Sequence, residues 1–183
     1  GFFDCPVDNL YAAPVLQEWA QALPFAENDR VVVSPDVGSI KRAIGYQKRM
    51  GGTLAIVDKR RDSASETRQE HIIGGPIQGK VAFMFDDMIT TGGSITGAAK
   101  TVHEAGAREI YAAASHGVLC GNAIDKISKS KINILAVTDS IPIPPEKMLP
   151  NMKVISVAPL LAEAIKRIHH DQSISILFDK ADE

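Results

Sequence analysis

The stretch Val81-Ala82-Phe83-Met84-Phe85-Asp86-Asp87-Met88-Ile89-Thr90-Thr91-Gly92-Gly93-Ser94 decides how this chain folds. Five apolar residues end abruptly in two adjacent carboxylates, and a run of hydroxyl and glycine residues follows. An apolar run of that length reads as a strand buried on both faces. Glycine lets the T-T-G-G-S segment turn tightly and offer several backbone N–H groups to one anion. Residues 95–105 carry a helical pattern, and a helix start adds its partial positive charge to those N–H groups. The loop therefore reads as a phosphate cradle. The paired carboxylates suit sugar hydroxyls or a divalent metal. Together they predict a site for a phosphorylated sugar.

Outward from this stretch, strands alternate with helices. The pattern predicts helices over 11–22, 39–50, 95–105, 123–130 and 159–169. Strands are expected at 30–33, 53–57, 81–85, 109–115, 132–138 and 153–156, with a short one at 71–73 and a last one at 173–178. Residues 58–70 are highly charged, lack an apolar period and read as a mobile loop. Strand followed by helix, repeated, predicts an α/β fold with a parallel β-sheet flanked by helices on both faces. In such sheets ligands bind beyond the carboxyl ends of the strands. Four chemically loaded segments fall there, 34–39, 58–61, 86–94 and 115–117, and are expected to converge on one edge.

The second of these carries three adjacent cations, Lys59, Arg60 and Arg61, straight after a strand. They repel one another unless an anion sits among them. Lysine offers a mobile point charge and arginine a bidentate fork, which together suit a polyphosphate.

The 183 residues, 45% hydrophobic, suffice for one well-formed core. With 20 basic and 22 acidic residues, a formal net charge of −2 gives no basis for nucleic-acid or membrane binding. No apolar run approaches the roughly 20 residues a membrane helix needs. Cys5 and Cys120 show no metal-ligand spacing and read as reduced, packed thiols of a cytoplasmic protein. The chain starts at Gly1 in an apolar lead-in, which reads as a fragment lacking an N-terminal part.

The strand, carboxylate pair and T-T-G-G-S loop resemble the phosphoribosyl-pyrophosphate (PRPP) loop of type I phosphoribosyltransferases and of the PRPP synthetase (ribose-phosphate pyrophosphokinase) family. Asp58-Lys59-Arg60-Arg61 resembles the start of the synthetases' catalytic loop, and His71-Ile72-Ile73-Gly74 its close. Ser34-Pro35-Asp36-Val37-Gly38 is similar to their S-P-D-x-G motif, Ser115-His116-Gly117 to a Thr-His-Gly, and Thr138-Asp139-Ser140-Ile141-Pro142 to a T-x-[ST]-I-P turn. Ser173, Ser175 and Phe178 resemble part of a regulatory nucleotide site.

The resemblance implies a type I phosphoribosyltransferase-like domain over residues 1–183, the C-terminal half of a two-domain enzyme. Residues 1–10 and 171–183 would face the missing half. It implies Mg2+-dependent transfer of pyrophosphate from ATP to C1 of ribose 5-phosphate, giving PRPP and AMP for nucleotide biosynthesis. Thr90, Thr91, Gly92, Gly93 and Ser94 would hold the 5-phosphate, with Arg61 also on the substrate. Asp86 and Asp87 would take the 2- and 3-hydroxyls, Asp36 would hold magnesium, and Lys59 and Arg61 would neutralise the phosphates in transfer. Thr90 departs from the usual aspartate, and no histidine here matches the family's magnesium-binding histidine. His116, at an expected strand end, is the local candidate for a polar role, with a structural role the readier reading. The fragment is expected to be inactive alone, and the complete enzyme to be a hexamer in the cytoplasm. Two alternatives stay open: a phosphoribosyltransferase that consumes PRPP, and a non-catalytic regulatory homologue of the synthetase.

Overall fold

The computed structural model describes residues 2–61 and 68–178, with the backbone only for 59–61 and 68–70. Seven strands run β1 Arg30–Ser34, β2 Thr53–Arg61, β3 Arg68–Gly74, β4 Val81–Ile89, β5 Glu109–Gly117, β6 Ile134–Thr138 and β7 Met152–Ile155. They form one sheet in the order β3-β2-β1-β4-β5-β6-β7. Every neighbouring pair is parallel except β2 with β3. The helices are α1 Ala13–Gln21, α2 Ile40–Met50, α3 Gly93–Glu104, α4 Ala123–Ser128 and α5 Ala158–His169. The expected α/β fold, a parallel sheet with helices on both faces, is the fold observed.

The sequence explains the layers. Val31, Val32 and Val33 are wholly buried, as the centre of a two-sided sheet demands of β-branched residues. Along β4, Ala82 and Met84 point into one core with α3 and α4, while Val81, Phe83 and Phe85 point into the other with α1 and α2. Strand alternation divides the single apolar run between two cores. Leu16, Trp19 and Ala20 bury the expected face of α1. Arg30, only 7% exposed, has no carboxylate partner among the described residues; its guanidinium donates to the Phe25 and Met50 carbonyls, which satisfies the buried charge.

Four expectations change. Residues 58–61 and 68–70 are strand, not loop: β2 and β3 pair in register from Ala55↔Gly74 to Arg61↔Arg68. β1 ends its pairing with β2 at Ser34↔Ile56, so β2 beyond that point pairs with β3 alone as a two-stranded ribbon. An apolar alternation is required only where a face is buried, which is why this ribbon left no period to read. Residues 173–178 form no strand; Ser175–Leu177 is a 3-10 turn. Ser173 Oγ lies 2.7 Å from Ser175 Oγ and accepts from the Ser175 N–H, a local hydroxyl closure that competes with sheet pairing. Cys5 and Cys120 are exposed rather than packed. Finally, β4 continues through Asp86 and Asp87 to Ile89, still paired with β5.

Phe2 and Phe3 lie on the surface. Among the described residues no helix is long and apolar enough to cross a membrane.

Candidate functional site

β1 and β4 are neighbours, yet the chain leaves β1 toward β2 on one side and β4 toward β5 on the other. This is the switch point of a doubly wound sheet, where the loops diverge and leave a crevice. Two of the four loaded segments meet there, 34–39 after β1 and 86–94 in and after β4. After β1, Ser34 Oγ donates to the Asp36 carbonyl at 2.7 Å. The Asp36 carboxylate accepts from the Ser39 N–H at 2.8 Å and so closes the turn that opens α2.

α2 is fixed over β4 by a ring stack: Tyr46 and Phe85 lie parallel, centroids 3.6 Å apart. Arg42 stands one helical turn before Tyr46, and Asp86 follows Phe85 in the strand. The packing that buries Phe85 therefore brings Arg42 to the carboxylate pair. Its guanidinium forks between them, 2.6 Å from Asp86 Oδ1 and 3.2 Å from Asp87 Oδ2. Asp86 Oδ1 also accepts the Asp87 N–H at 2.9 Å, and Asp87 Oδ1 accepts the Met88 N–H at 2.9 Å.

The two carboxylates differ in character. Asp86 is 16% exposed and Asp87 60%. Burial, reinforced by sharing a hydrogen bond with Asp87, raises the Asp86 pKa, against the pull of Arg42. Burial works on Asp87 in the same sense, but the hydrogen bond from Asp86 and the Arg42 charge outweigh it, and the Asp87 pKa is lowered. Two acids side by side divide their roles in this way: one holds its proton more readily and the other stays ionised.

Beyond the carboxylates the chain turns at Gly92, whose φ of +71° few side chains tolerate, and enters α3. The carbonyls of this loop are tied down: Thr90 O accepts from Cys120 N–H at 3.0 Å, Thr91 O from Lys126 Nζ at 3.3 Å, and Gly92 O from the Thr96 N–H and hydroxyl. No side chain caps α3. The first N–H groups of a helix have no partner within it, so the start of α3 presents free donors and its partial positive charge. Asp86 and residues 88–95 line one concavity at this point. It can hold an anion at the helix start, with an acceptor for hydroxyl groups at Asp86; Asp87, more exposed, is not among its lining residues.

Of the residues expected from sequence, Asp86, Thr90, Thr91, Gly92, Gly93 and Ser94 come together in this concavity. Asp36 stands at the end of the adjacent β1. Lys59 and Arg61 lie on β2 in the ribbon, and their side chains fall outside the described residues. Ser173 and Ser175 are bonded to each other, Arg167 donates to the Ser173 carbonyl, and Phe178 N–H bonds the Ser175 carbonyl. That turn is separate from the concavity's lining. His116 is exposed, with Nδ1 2.8 Å from Ser140 Oγ. Ser140 and Thr138 hydroxyls both bond the Ser115 carbonyl, and hydrogen bonds from Ser156 and the Val157 N–H hold the Asp139 carboxyl below its usual range. The T-D-S segment thus ties the ends of β5 and β6 together, and its Asp139 carboxylate holds the residue that precedes α5.

Two cations escaped the sequence reading, Arg42 and Lys126. For Arg42 the available signal was its position, four residues before an aromatic on the buried face of α2. Lys126 gave none, because its neighbour in space is distant in sequence. Among the described residues no three His, Cys, Asp or Glu side chains cluster as a metal site. The adjacent Asp86 and Asp87 are the one or two carboxylates that magnesium takes alongside water and ligand oxygens, with Asp36 standing apart beyond β1.

A doubly wound α/β domain of this strand order, with a helix start and paired carboxylates at its switch point, has the type I phosphoribosyltransferase-like fold. The model of the phosphoribosyl synthetase-associated domain matches residues 64–179, and the chain belongs to that family. It is 65% identical to a ribose-phosphate pyrophosphokinase of Rhodopirellula baltica over 97% of this chain and 56% of that protein. With a ribose-phosphate pyrophosphokinase of Bacillus subtilis it shares 45% identity over 97% of this chain and 55% of that protein. The crystal structure of the phosphoribosylpyrophosphate synthetase from Mycobacterium smegmatis superposes with a TM-score of 0.82 at 35% identity, covering 93% of this chain and 54% of that one. The chain spans about half the length of the curated relatives it matches.

Proposed function

We propose that this chain carries the ribose 5-phosphate half of a ribose-phosphate pyrophosphokinase. The ribose C1 hydroxyl attacks the β-phosphorus of ATP, the bond to the α-phosphate breaks, and PRPP and AMP leave with the hydroxyl proton released. The observation that carries the reading is the joining, in one concavity, of an uncapped helix start and Asp86, which Arg42 bridges to Asp87 beside it. The names of the relatives support the same reaction.

In this reading Thr90, Thr91, Gly92, Gly93 and Ser94 hold the 5-phosphate through backbone N–H groups and hydroxyls. Asp86 and Asp87 accept from the 2- and 3-hydroxyls and fix the direction of C1. Arg42 bridges the two carboxylates and partly neutralises them before the sugar arrives. Lys59 and Arg61 neutralise the phosphates in transfer, with Arg61 also reaching the substrate, so that catalysis is chiefly positioning and charge compensation. Magnesium, held near Asp36 through water, supplies further neutralisation of phosphate charge when bound. The ATP side comes from the remainder of the complete enzyme, a cytoplasmic hexamer regulated by nucleotide at Ser173, Ser175 and Phe178. The chain by itself binds ribose 5-phosphate without sustained turnover.

Calorimetric titration with ribose 5-phosphate, with and without magnesium, tests this. The expected result is saturable binding that an Asp86→Ala/Asp87→Ala variant loses. A folded chain that binds no ribose 5-phosphate under either condition overturns the reading.

A further inference from the structure

We infer that Lys126, on α4, is a specificity-determining cation of the phosphate cradle, a role that rests on the reading of the loop as the 5-phosphate site. Its ammonium donates to the Thr91 carbonyl at 3.3 Å. A Cβ placed on Gly93 would lie 3.9 Å from Lys126 Nζ and 3.9 Å from Thr91 Oγ1, so the ammonium and the hydroxyl converge over the first residue of α3. The charge stands beside the helix start whose N–H groups are uncapped.

Packing places it there. Gly92 and α4 are in contact: a Cβ on Gly92 would meet the Ile127 side chain at 3.5 Å and the Ala123 carbonyl at 3.6 Å. Ile127 and Ala123 are wholly buried, so α4 is fixed against the loop and the intervening Lys126 is fixed with it. The charge is also uncommitted. Its neighbour Asp125 pairs with Lys129 at 2.6 Å, and among the described residues Lys126 has no carboxylate partner. Arg42, the other cation of the site, is engaged by Asp86 and Asp87. Lys126 is thus the cation free to serve the phosphate end among the described residues of the cradle.

In the free chain the ammonium holds the Thr91 carbonyl and the shape of the loop. With a phosphate in the cradle, a small rotation about the flexible stem brings it onto a terminal oxygen. Backbone N–H groups donate to any anion of the right size. An added full charge favours the phosphate monoester over an uncharged sugar.

The test is titration of the chain with ribose 5-phosphate and, separately, with ribose, for wild type, Lys126→Gln and Lys126→Arg, with thermal unfolding of each. Lys126→Gln keeps a donor for Thr91 O and loses the charge. It is expected to weaken ribose 5-phosphate binding about tenfold, as for one exposed charge-assisted hydrogen bond. Lys126→Arg retains most of the affinity, ribose binding is unaffected, and unfolding temperatures stay together. Wild-type affinity in Lys126→Gln overturns the inference while leaving the loop reading intact. Equal losses in both variants with lowered unfolding temperature overturn it too, as they mark a purely structural anchor. Failure of wild type to bind ribose 5-phosphate overturns the reading of the loop itself, and the inference with it.

Discussion

The segment from β4 into α3 and the ribbon of β2 and β3 both carry charged residues beyond the parallel core, but they are built in opposite ways. Asp86 and Asp87 continue a strand whose preceding five residues are buried, and are held by Arg42 from a helix locked by the Tyr46–Phe85 stack. Lys59 and Arg61 lie where β2 has outrun β1 and pairs only with β3. The cradle is part of the fold, whereas the cations stand on an extension the fold can do without. In the proposed reading, sugar-phosphate binding rests chiefly on the cradle and pyrophosphate transfer on the ribbon, so mutation should separate the two.

The largest break falls on the cradle strand. Phe83→Ala removes a wholly buried ring that stacks with Tyr111 and is expected to cost about 3–5 kcal/mol in equilibrium denaturation. Next is the carboxylate pair: Asp86→Ala/Asp87→Ala is expected to lower ribose 5-phosphate affinity about 100-fold, from the loss of charged hydrogen bonds. Gly92→Val forces a β-branched residue to φ +71° and should cost about 1–2 kcal/mol, with weakened ribose 5-phosphate binding. On the ribbon, Lys59→Ala/Arg61→Ala is expected to change stability by no more than about 0.5 kcal/mol and to lower ribose 5-phosphate affinity, through the loss of Arg61, far less than the carboxylate pair does. Placed in a complete two-domain relative, the same pair should abolish AMP formation. A ribbon variant that unfolds the chain, or a cradle variant that leaves binding intact, would erase the distinction.

The smallest effect sharpens the comparison within the cradle itself. Asp86 has a raised pKa, so its contribution to stability is present at low pH and lost as pH rises through the carboxylate range. Asp87 has a lowered pKa, so its contribution is present at higher pH and lost as pH falls. Relative to wild type, Asp86→Asn should gain stability as pH rises across the acidic range, and Asp87→Asn should lose it. Thermal unfolding of the two variants from acid to neutral pH reads the opposite slopes directly; slopes of the same sign contradict the division of roles between the carboxylates.

Much of this was legible in the sequence because it rests on local pattern. The apolar runs at Val31-Val32-Val33 and from Val81 to Phe85 announced two-sided strands, and the glycines after Thr91 announced the turn into α3. The cores of β2 and β3 were read at 53–57 and 71–73, but their extensions over 58–61 and 68–70 were not legible, since neither face of the ribbon had to be apolar. The tail alternated like a strand, yet Ser173 and Ser175 hydroxyls closed a turn instead. Arg42 and Lys126 were missed for a different reason. Their partners are 44 and 35 residues away along the chain, and only the sheet order and the packing of α2 and α4 bring them together.

The most direct measurement is an amide chemical-shift titration of the chain with ribose 5-phosphate. The backbone N–H groups of residues 90–95 should shift first and furthest, saturating together with Asp86 and Asp87, while those of α5 stay in place. Saturating shifts confined to other parts of the chain, with residues 90–95 unmoved, would contradict the claim that the start of α3 is the phosphate site.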